Sequence, residues 1–144
     1  MPKILGIDLG TRYIGVAKSD DSGKIALPSD VIEVRNFTEI VPQIVKIAKS
    51  LGVEKIVIGL PLHLSGDESR MSSLVREIAE KLSELGLDII LWDERFSSIQ
   101  AEKAMREMEI KPSRNKKRIN EISAVLILQT YLDSQNRENY EQEN

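Results

Sequence analysis

The sequence predicts an α/β fold in which a mixed five-stranded sheet is flanked by helices. Two features of the pattern predict it. Three short, mostly apolar segments follow one another at the start of the chain with only turns between them, which is typical of antiparallel strands. Helical and extended apolar segments then alternate, and this order adds two strands to the sheet through helical crossovers. The 144 residues fit one domain of this kind.

The three antiparallel strands are expected at residues 3–8, 13–19 and 25–34. Residues 9–12 (LGTR) join the first two strands. The turn sequence DDSG at residues 20–23 separates the second strand from the third. The opening of the chain is therefore predicted to be a β-meander.

The next segments predict two helical crossovers. Apolar residues at helical spacing indicate helices over residues 40–51 and 71–85, and each is followed by a glycine, a common signal for a helix C-terminus. Residues 55–59 (KIVIG) and 88–92 (DIILW) are mostly apolar, as strands buried inside parallel sheets are. These two strands complete the predicted sheet.

Two further helices are expected after the fifth strand. Ser97 begins a capping box that opens the first of them. Asn120 is expected to cap the last helix, whose segment 122–128 is apolar nearly all round. Residues 133–144 lack apolar periodicity and predict a frayed, acidic, flexible tail. We therefore expect a single domain over residues 1–132.

The composition excludes several kinds of site. The absence of Cys excludes disulfides, zinc–thiolate sites and cysteine nucleophiles, and the single His excludes a multi-histidine metal site. A metal would be held by oxygen ligands, as Mg²⁺ and Mn²⁺ are. No apolar run approaches the roughly 20 residues of a membrane span, and the first residues lack the apolar stretch of a signal peptide. We expect a cytoplasmic protein with no membrane partner.

The charge pattern bears on a nucleic-acid partner. The net charge of −3 at first argues against one. Residues 133–144, however, contain four acidic residues and one basic residue, so residues 1–132 carry no net charge. Residues 111–118 alone hold five positive charges. The acidity therefore does not exclude nucleic acid, and it predicts a salt-dependent affinity that rests on this basic segment.

Carboxylates at the ends of two predicted strands are the first candidates for chemistry. Asp8 ends the first strand, and the charged cluster Asp93-Glu94-Arg95 follows the fifth. Ligands collect at strand ends in open α/β sheets. Taken singly, Asp8 could cap a turn and Glu94 could belong to a solvated charge cluster. Together, in a chain with few other ligand types, they predict a divalent-metal site that clamps a phosphodiester and activates a water molecule.

The candidate substrate-binding residues lie in three loops. The turn after Asp8 lets backbone and guanidinium groups approach a phosphate, and a loop histidine could touch a phosphate or a base, although a lone histidine is more often a bystander. A Ser–His–Asp hydrolase is disfavoured because no G-x-S-x-G motif is present. The basic segment suits phosphate contacts, with a merely solvated linker as the alternative. The predicted substrate-binding residues are Gly10, Thr11, Arg12, His63, Arg95, Lys111, Arg114, Lys116, Lys117 and Arg118.

Four segments resemble, in order, the motifs of the YqgF/RuvX family: GIDLGTRYIGVA at residues 6–17, GLP at 59–61 followed by Gly66, DERFSS at 93–98, and AVLILQTYL at 124–132. The match is collinear over residues 3–132. The resemblance implies an RNase H-like fold and a cytoplasmic nuclease that depends on Mg²⁺ or Mn²⁺. Members are associated with maturation of the 5′ end of pre-16S ribosomal RNA, and some with resolution of Holliday junctions. Ribosomal particles are then possible partners. The protein could be a monomer or a homodimer, and junction resolution would ordinarily call for a dimer.

The resemblance also implies three acidic residues at the catalytic centre. Two of them fall on Asp8 and Glu94, and the third falls on Asn120. Asparagine offers a carbonyl oxygen to a metal but no negative charge, so a second divalent ion should bind more weakly. Glu121 could substitute, but successive helix positions point about 100° apart, so it would need a frayed or shifted helix start. Arg12 and Arg95 would contact phosphates or support the acidic residues.

Three functions follow from these observations. The first is a metal-dependent nuclease that acts on structured RNA or branched DNA. The second is an RNA- or ribosome-binding module whose catalysis is weakened by Asn120. The third is an actin-like or sugar-kinase-like ATPase, since Asp8-Leu9-Gly10-Thr11 also resembles the phosphate loop of that superfamily. It ranks last because those enzymes enclose nucleotide between two domains, and this chain has room for one.

Overall fold

The structure, a computed structural model, describes residues 3–63, 65–94, 103, 106, 107, 109 and 116–143. A short 3₁₀ turn (Phe37–Glu39) precedes the first helix. The strands and helices are, in chain order, β1 (Ile4–Leu9), β2 (Tyr13–Ser19), β3 (Ala26–Glu33), α1 (Ile40–Leu51), β4 (Lys55–Leu60), α2 (Arg70–Glu84), β5 (Asp88–Asp93) and α3 (Lys116–Glu143).

The five strands form one mixed sheet in the order β3-β2-β1-β4-β5. β1 pairs with β2, and β2 with β3, in antiparallel register. β4 then pairs with β1, and β5 with β4, in parallel register. This is the predicted sheet, and each strand begins and ends within one residue of its expected position. The carboxyl ends of β1, β4 and β5 therefore meet at one edge.

The first two helices end and begin where their sequences provide the local signals. Gly52 follows α1 with a left-handed φ of 66°, and the Val53 N–H donates to the Ala48 carbonyl at 2.8 Å. This arrangement satisfies carbonyls that the helix itself leaves free. Ser69 caps α2 by accepting from the Ser72 N–H, while the Ser72 hydroxyl accepts from the Ser69 N–H. The two reciprocal bonds of Ser69 and Ser72 form the capping box of α2.

Side-chain alternation along the strands divides the apolar residues between two faces of the sheet. α1 and α2 cover one face, where Ile44 and Ile78 join the buried cluster that includes Leu5 and Ile7. α3 packs on the other face, in a second buried cluster. Because strand side chains alternate, Gly6 and Asp8 point to the α3 side of the sheet. α3 is thereby brought against the strand that carries the first candidate carboxylate.

Two predictions about the last helix are wrong. It begins at Lys116, so Asn120 is its fifth residue and not its N-cap. It also continues to Glu143, where the sequence predicted a frayed tail after residue 132. No Gly or Pro interrupts residues 116–143, and the polar residues after 132 are compatible with a helix. The domain boundary at residue 132 stays a prediction.

The start of the helix expected from Ser97 lies outside the described residues, and Lys103, Arg106 and Glu107, which are described, are helical. Within the described ranges, no helix, including the 28 residues of α3, is apolar over the length that crossing a bilayer requires.

Candidate active site

The two candidate carboxylates come together at the shared edge of β1, β4 and β5. Asp8 is the fifth residue of β1, and Glu94 directly follows β5. The Glu94 N–H donates to the Leu60 carbonyl at 3.2 Å, which fixes Glu94 to the end of β4. Each of these two acidic residues is only 8% exposed. The parallel strands therefore place two buried carboxyl groups at the edge where ligands bind in open α/β sheets.

Asp8 is the centre of a small polar cluster. Its carboxyl group is hydrogen-bonded to the carboxyl group of Glu94. The Asn120 amide Nδ2 donates to Asp8 Oδ2 at 3.2 Å. A hydrogen bond between two carboxyl groups requires a proton on one of them. In the absence of a cation, the pair therefore retains one proton near neutral pH.

Burial and mutual repulsion set the protonation of this pair. Burial raises the pKa of Asp8 to about 6, against the opposing effect of its hydrogen bonds to Glu94 and Asn120. Burial raises the pKa of Glu94 to about 9, and the neighbouring Asp8 charge adds to the increase. Near neutral pH, Asp8 is ionised and Glu94 is protonated. Two neighbouring buried carboxyl groups repel each other when both are charged, so a cation is needed before both can ionise near neutral pH.

The oxygen atoms of the pair fit a divalent cation. Glu94 Oε2 is buried and accepts no hydrogen bond. A Cβ atom at Gly59 would lie 2.6 Å from this oxygen, so only glycine leaves it room. An orphaned carboxylate oxygen beside a second carboxylate is the donor set that Mg²⁺ and Mn²⁺ take. The geometry thus supports the expected type of ion.

Two glycines leave the room that Asn120 needs to lie against this pair. A Cβ at Gly15 would lie 2.0 Å from the Asn120 carbonyl oxygen, and one at Gly10 would lie 2.7 Å from its side-chain Nδ2. The early turns of α3 therefore rest directly on β2 and on the turn after β1. Asn120 reaches Asp8 from inside the helix, where the sequence suggested an N-cap. This third position carries no charge because it is an asparagine, and over the described part of the chain no cluster contains three His, Cys, Asp or Glu side chains.

Glu121 does not complete the cluster in this structure. It is half-buried on α3, and among the described contacts it makes no hydrogen bond or ion pair with Asp8 or Glu94. The frayed helix start that would bring it to the site is absent, because α3 begins five residues before it.

The predicted substrate-binding turn borders the same site. Gly10, Thr11 and Arg12 line a cleft of about 330 Å³, together with Tyr13, Ile119 and Asn120. The Arg12 guanidinium lies 5.3 Å from the centre of the Tyr13 ring. Its Nε is 3.4 Å from Glu33 Oε1 in an ion pair that is exposed on both sides. A pair of this kind contributes little to stability, so exchanging it for a contact with a ligand in the cleft would cost little.

The other predicted substrate-binding residues are only partly placed. His63 is exposed in the loop after β4, where its backbone N–H donates to the Asp67 carbonyl at 2.9 Å. Lys117 and Arg118 are exposed in the first turn of α3, so this part of the predicted basic loop is helical. Lys116 begins the helix, and nothing is assigned to its side chain. Arg95, Lys111 and Arg114 lie outside the described residues.

Sequence reasoning missed the residues that shape the cluster. Gly15 and Gly59 give Asn120 and Glu94 their space. Ser123 is buried on α3 with an unpartnered hydroxyl, three residues after Asn120. The sequence signal that could have identified Ser123 is a small polar residue within the mostly apolar segment 120–128 (NEISAVLIL).

Comparison with known proteins identifies the family. A family model described as "RuvX: Holliday junction resolvase" matches residues 2–134. A relative from Caldanaerobacter subterraneus subsp. tengcongensis is 40% identical over 92% of this chain and 97% of its own length. Another from Pelotomaculum thermopropionicum is 41% identical over 94% of this chain and 89% of its own. Both are named "Putative pre-16S rRNA nuclease".

Two solved structures share the fold at low sequence identity. Thermus thermophilus RuvC in complex with a Holliday junction substrate has a TM-score of 0.56 and 14% identity, covering 94% of this chain and 96% of its own. Fowlpox virus resolvase with Holliday junction DNA has a TM-score of 0.58 and 11% identity. The match covers 92% of this chain and 97% of the resolvase chain. They confirm the RNase H-like architecture. Because the family model and the relatives match nearly the whole length of the sequence, the chain belongs to the RuvX family.

Proposed function

We propose that this chain is a divalent-metal-dependent endonuclease that matures the 5′ end of pre-16S ribosomal RNA in the cytoplasm, on free precursor or on ribosomal particles. The observation that carries the proposal is the buried Asp8–Glu94 pair with its orphaned Glu94 Oε2. Burying two carboxyl groups costs stability, which favours a role for them in binding a cation. The names of the 40%-identical relatives support the substrate.

The proposed roles of the residues follow from their positions. Asp8 and Glu94 hold the cation through carboxylate oxygens, and Asn120 contributes its amide, oriented by the glycines beneath it. A bound divalent cation would neutralise phosphate charge and lower the pKa of a water molecule that attacks phosphorus. Asn120 donates to Asp8, which favours the ionised form needed for cation binding.

The cleft beside Asn120 is the proposed position of the substrate backbone. Gly10 lines the cleft, but its own N–H donates to the Tyr13 carbonyl at 2.9 Å. The backbone N–H of Thr11 and the exposed Arg12 guanidinium are the suitable phosphate donors. The exposed Lys117 and Arg118 lie within one turn of Asn120 along α3, so they can extend the phosphate contact. The sequence also predicts substrate contacts for five further residues: His63, Arg95, Lys111, Arg114 and Lys116.

Two alternatives have specific support. The matched family is described as a Holliday junction resolvase, which favours branched DNA as a second substrate. Paired cuts across a four-way junction need two active sites and therefore a dimer. The uncharged Asn120 favours a catalytically weakened RNA- or ribosome-binding module.

One experiment separates these functions. End-labelled pre-16S fragments and four-way DNA junctions are incubated with the protein in Mn²⁺, Mg²⁺ or EDTA. The proposal predicts metal-dependent cutting of the RNA at its 5′ precursor segment. Preferential, symmetric cutting of the junction would support the resolvase, and binding without cutting in any metal would support the weakened module. Either result would contradict the proposed function.

A further inference from the structure

Ser123 carries a buried hydroxyl group that has no hydrogen-bond partner among the residues the structure describes. The residue is fully buried, and its Oγ has no hydrogen-bond partner. The other helical hydroxyls nearby behave differently. Thr130 Oγ1 donates to the Ile127 carbonyl at 3.0 Å, and Ser134 Oγ donates to the Tyr131 carbonyl at 2.7 Å. A buried polar group without a partner is rare and requires an explanation.

Ser123 lies on the face of α3 that meets the acidic pair. It is three residues after Asn120, which contacts Asp8, and four residues before Ile127. Residues at these spacings share one helix face. The Ile127 Cδ1 and Glu94 Oε2 atoms would each lie 2.6 Å from a Cβ on Gly59, so both border the same small hollow. Ser123 therefore stands between two contacts that α3 makes with the site.

The second unpartnered atom belongs to the acidic pair itself. Among the described side chains, Glu94 Oε2 and Ser123 Oγ are the buried polar atoms without a partner. One shared ligand would explain both. Mg²⁺ and Mn²⁺ keep several water molecules when few protein ligands hold them, and a hydroxyl is a suitable partner for such a water. Asn120 supplies no charge, so this site has fewer strong ligands than a three-carboxylate site.

We propose that Ser123 is a positioning residue of the metal site, whose hydroxyl binds a water ligand of the divalent cation held by Glu94 Oε2. This inference rests on the metal site of the proposed function. It assigns to Ser123 the role of fixing the water, and thereby the cation, on the α3 side of the cluster. Partners of metal-bound groups commonly contribute about 10- to 100-fold to affinity.

The test measures Mn²⁺ binding to the whole protein by electron paramagnetic resonance, without nucleic acid. Ser123→Ala is expected to weaken Mn²⁺ binding about tenfold. Its metal-free melting temperature is expected to rise, because an unsatisfied buried hydroxyl has been removed. Ser123→Thr retains the hydroxyl and is expected to restore most of the affinity. Ser134→Ala, on the same helix, is the matched control and is expected to bind Mn²⁺ as the wild type does.

A purely structural role for Ser123 gives a different pattern. Ser123→Ala would then lower the melting temperature or leave it unchanged, and Mn²⁺ affinity would equal that of the wild type. That result, or no Mn²⁺ binding by the wild type, would overturn the inference. A wild type that binds Mn²⁺ in a Ser123-dependent way but cuts no nucleic acid would support the inference and contradict the nuclease function.

Discussion

At the residue scale, Asn120 decides how strongly the site attracts a cation. It places an amide beside Asp8 at a position where the family resemblance implies a carboxylate. Asn120→Asp adds one negative charge, so we expect Mn²⁺ to bind about tenfold more tightly, equivalent to about 1.4 kcal/mol, and cleavage to become faster. Isothermal titration with Mn²⁺ and single-turnover cleavage measure the two effects. An unchanged affinity and rate would show that Asn120 is no part of the metal shell.

The acidic pair predicts an unusual dependence of stability on pH. Without metal, the folded protein holds protons on Asp8 and Glu94 with pKa values of about 6 and about 9, above their ordinary values. The folded state therefore binds more protons than the unfolded state between about pH 4 and about pH 9. The free energy of unfolding is expected to fall as pH rises through this range. Each unit of difference between the folded and the ordinary pKa corresponds to about 1.4 kcal/mol, so the rise of the Glu94 pKa from 4.5 to about 9 alone corresponds to a decrease of roughly 6 kcal/mol.

Urea unfolding in EDTA at pH 5, 7 and 9 measures this decrease. Glu94→Gln is expected to make the curve much flatter, because it removes the group with the higher pKa. Asp20 and Glu68 have lowered pKa values and act in the opposite sense, but only at the acidic end of the range. A wild-type stability that rises from pH 5 to pH 9 would contradict the protonated pair.

At the scale of elements, the close packing of α3 on the sheet determines the geometry of the site. Gly15 allows this approach, because a Cβ there would lie 2.0 Å from the Asn120 carbonyl oxygen. Gly15→Ala must displace backbone, so we expect a loss of about 2–4 kcal/mol and a loss of Mn²⁺ binding. Unfolding curves and Mn²⁺ titrations of the folded variant measure the two losses.

Gly52→Ala is the control for this packing. Gly52 has a left-handed φ of 66° and open space around it, so alanine there costs about 1 kcal/mol through the backbone alone. It lies at the end of α1, away from the site, and should leave Mn²⁺ affinity unchanged. If Gly15→Ala also kept full affinity, α3 would not hold Asn120 in the way described.

The sheet could be predicted from sequence more fully than the last helix. Strand alternation and turn residues are local signals, and they located each of the five strands to within one residue. Asn120 looked like an N-cap because asparagine favours that position, but α3 begins four residues earlier. The register of α3 depends on Gly6 and Gly15, which contact it from strands distant in the sequence. Only the folded structure shows such contacts.

The site, too, could be predicted only where its residues give local signals in the sequence. Asp8 and the cluster Asp93-Glu94-Arg95 could be predicted, because polar residues that end apolar strands stand out in the sequence. The family resemblance then singled out Glu94 within that cluster. Ser123 could not be recognised as a site residue from the sequence. It stands out only because its hydroxyl is buried without a hydrogen-bond partner, which only the structure shows. The placement of Arg95, Lys111 and Arg114 stays a prediction.

At the scale of the whole molecule, the uneven charge distribution predicts how nucleic acid binds. Residues 1–132 carry no net charge, and the basic segment at 111–118 supplies the local attraction. Lys117→Gln with Arg118→Gln removes two exposed charges from the first turn of α3. We expect weaker RNA binding and a slope of log affinity against log salt that is smaller by about two. Fluorescence anisotropy from 50 to 300 mM KCl measures this slope.

A double change far from the site provides the control. Lys46 and Lys49 lie on α1, on the opposite face of the sheet from α3. Their replacement by Gln removes the same charge and should change the slope much less. Equal effects of the two double variants would show that general charge, and not the basic segment, binds the RNA.

The most direct test of the proposed chemistry is single-turnover cleavage of a pre-16S fragment in Mn²⁺ by three proteins. Asp88 lies at the amino end of β5, away from the site edge, so Asp88→Asn controls for loss of an exposed carboxylate. We predict that Asp88→Asn cuts at the wild-type rate, and that Asp8→Asn loses at least about 100-fold while it remains folded. Metal-dependent cutting that persists undiminished in Asp8→Asn would contradict the assignment of the active site to the Asp8–Glu94 pair.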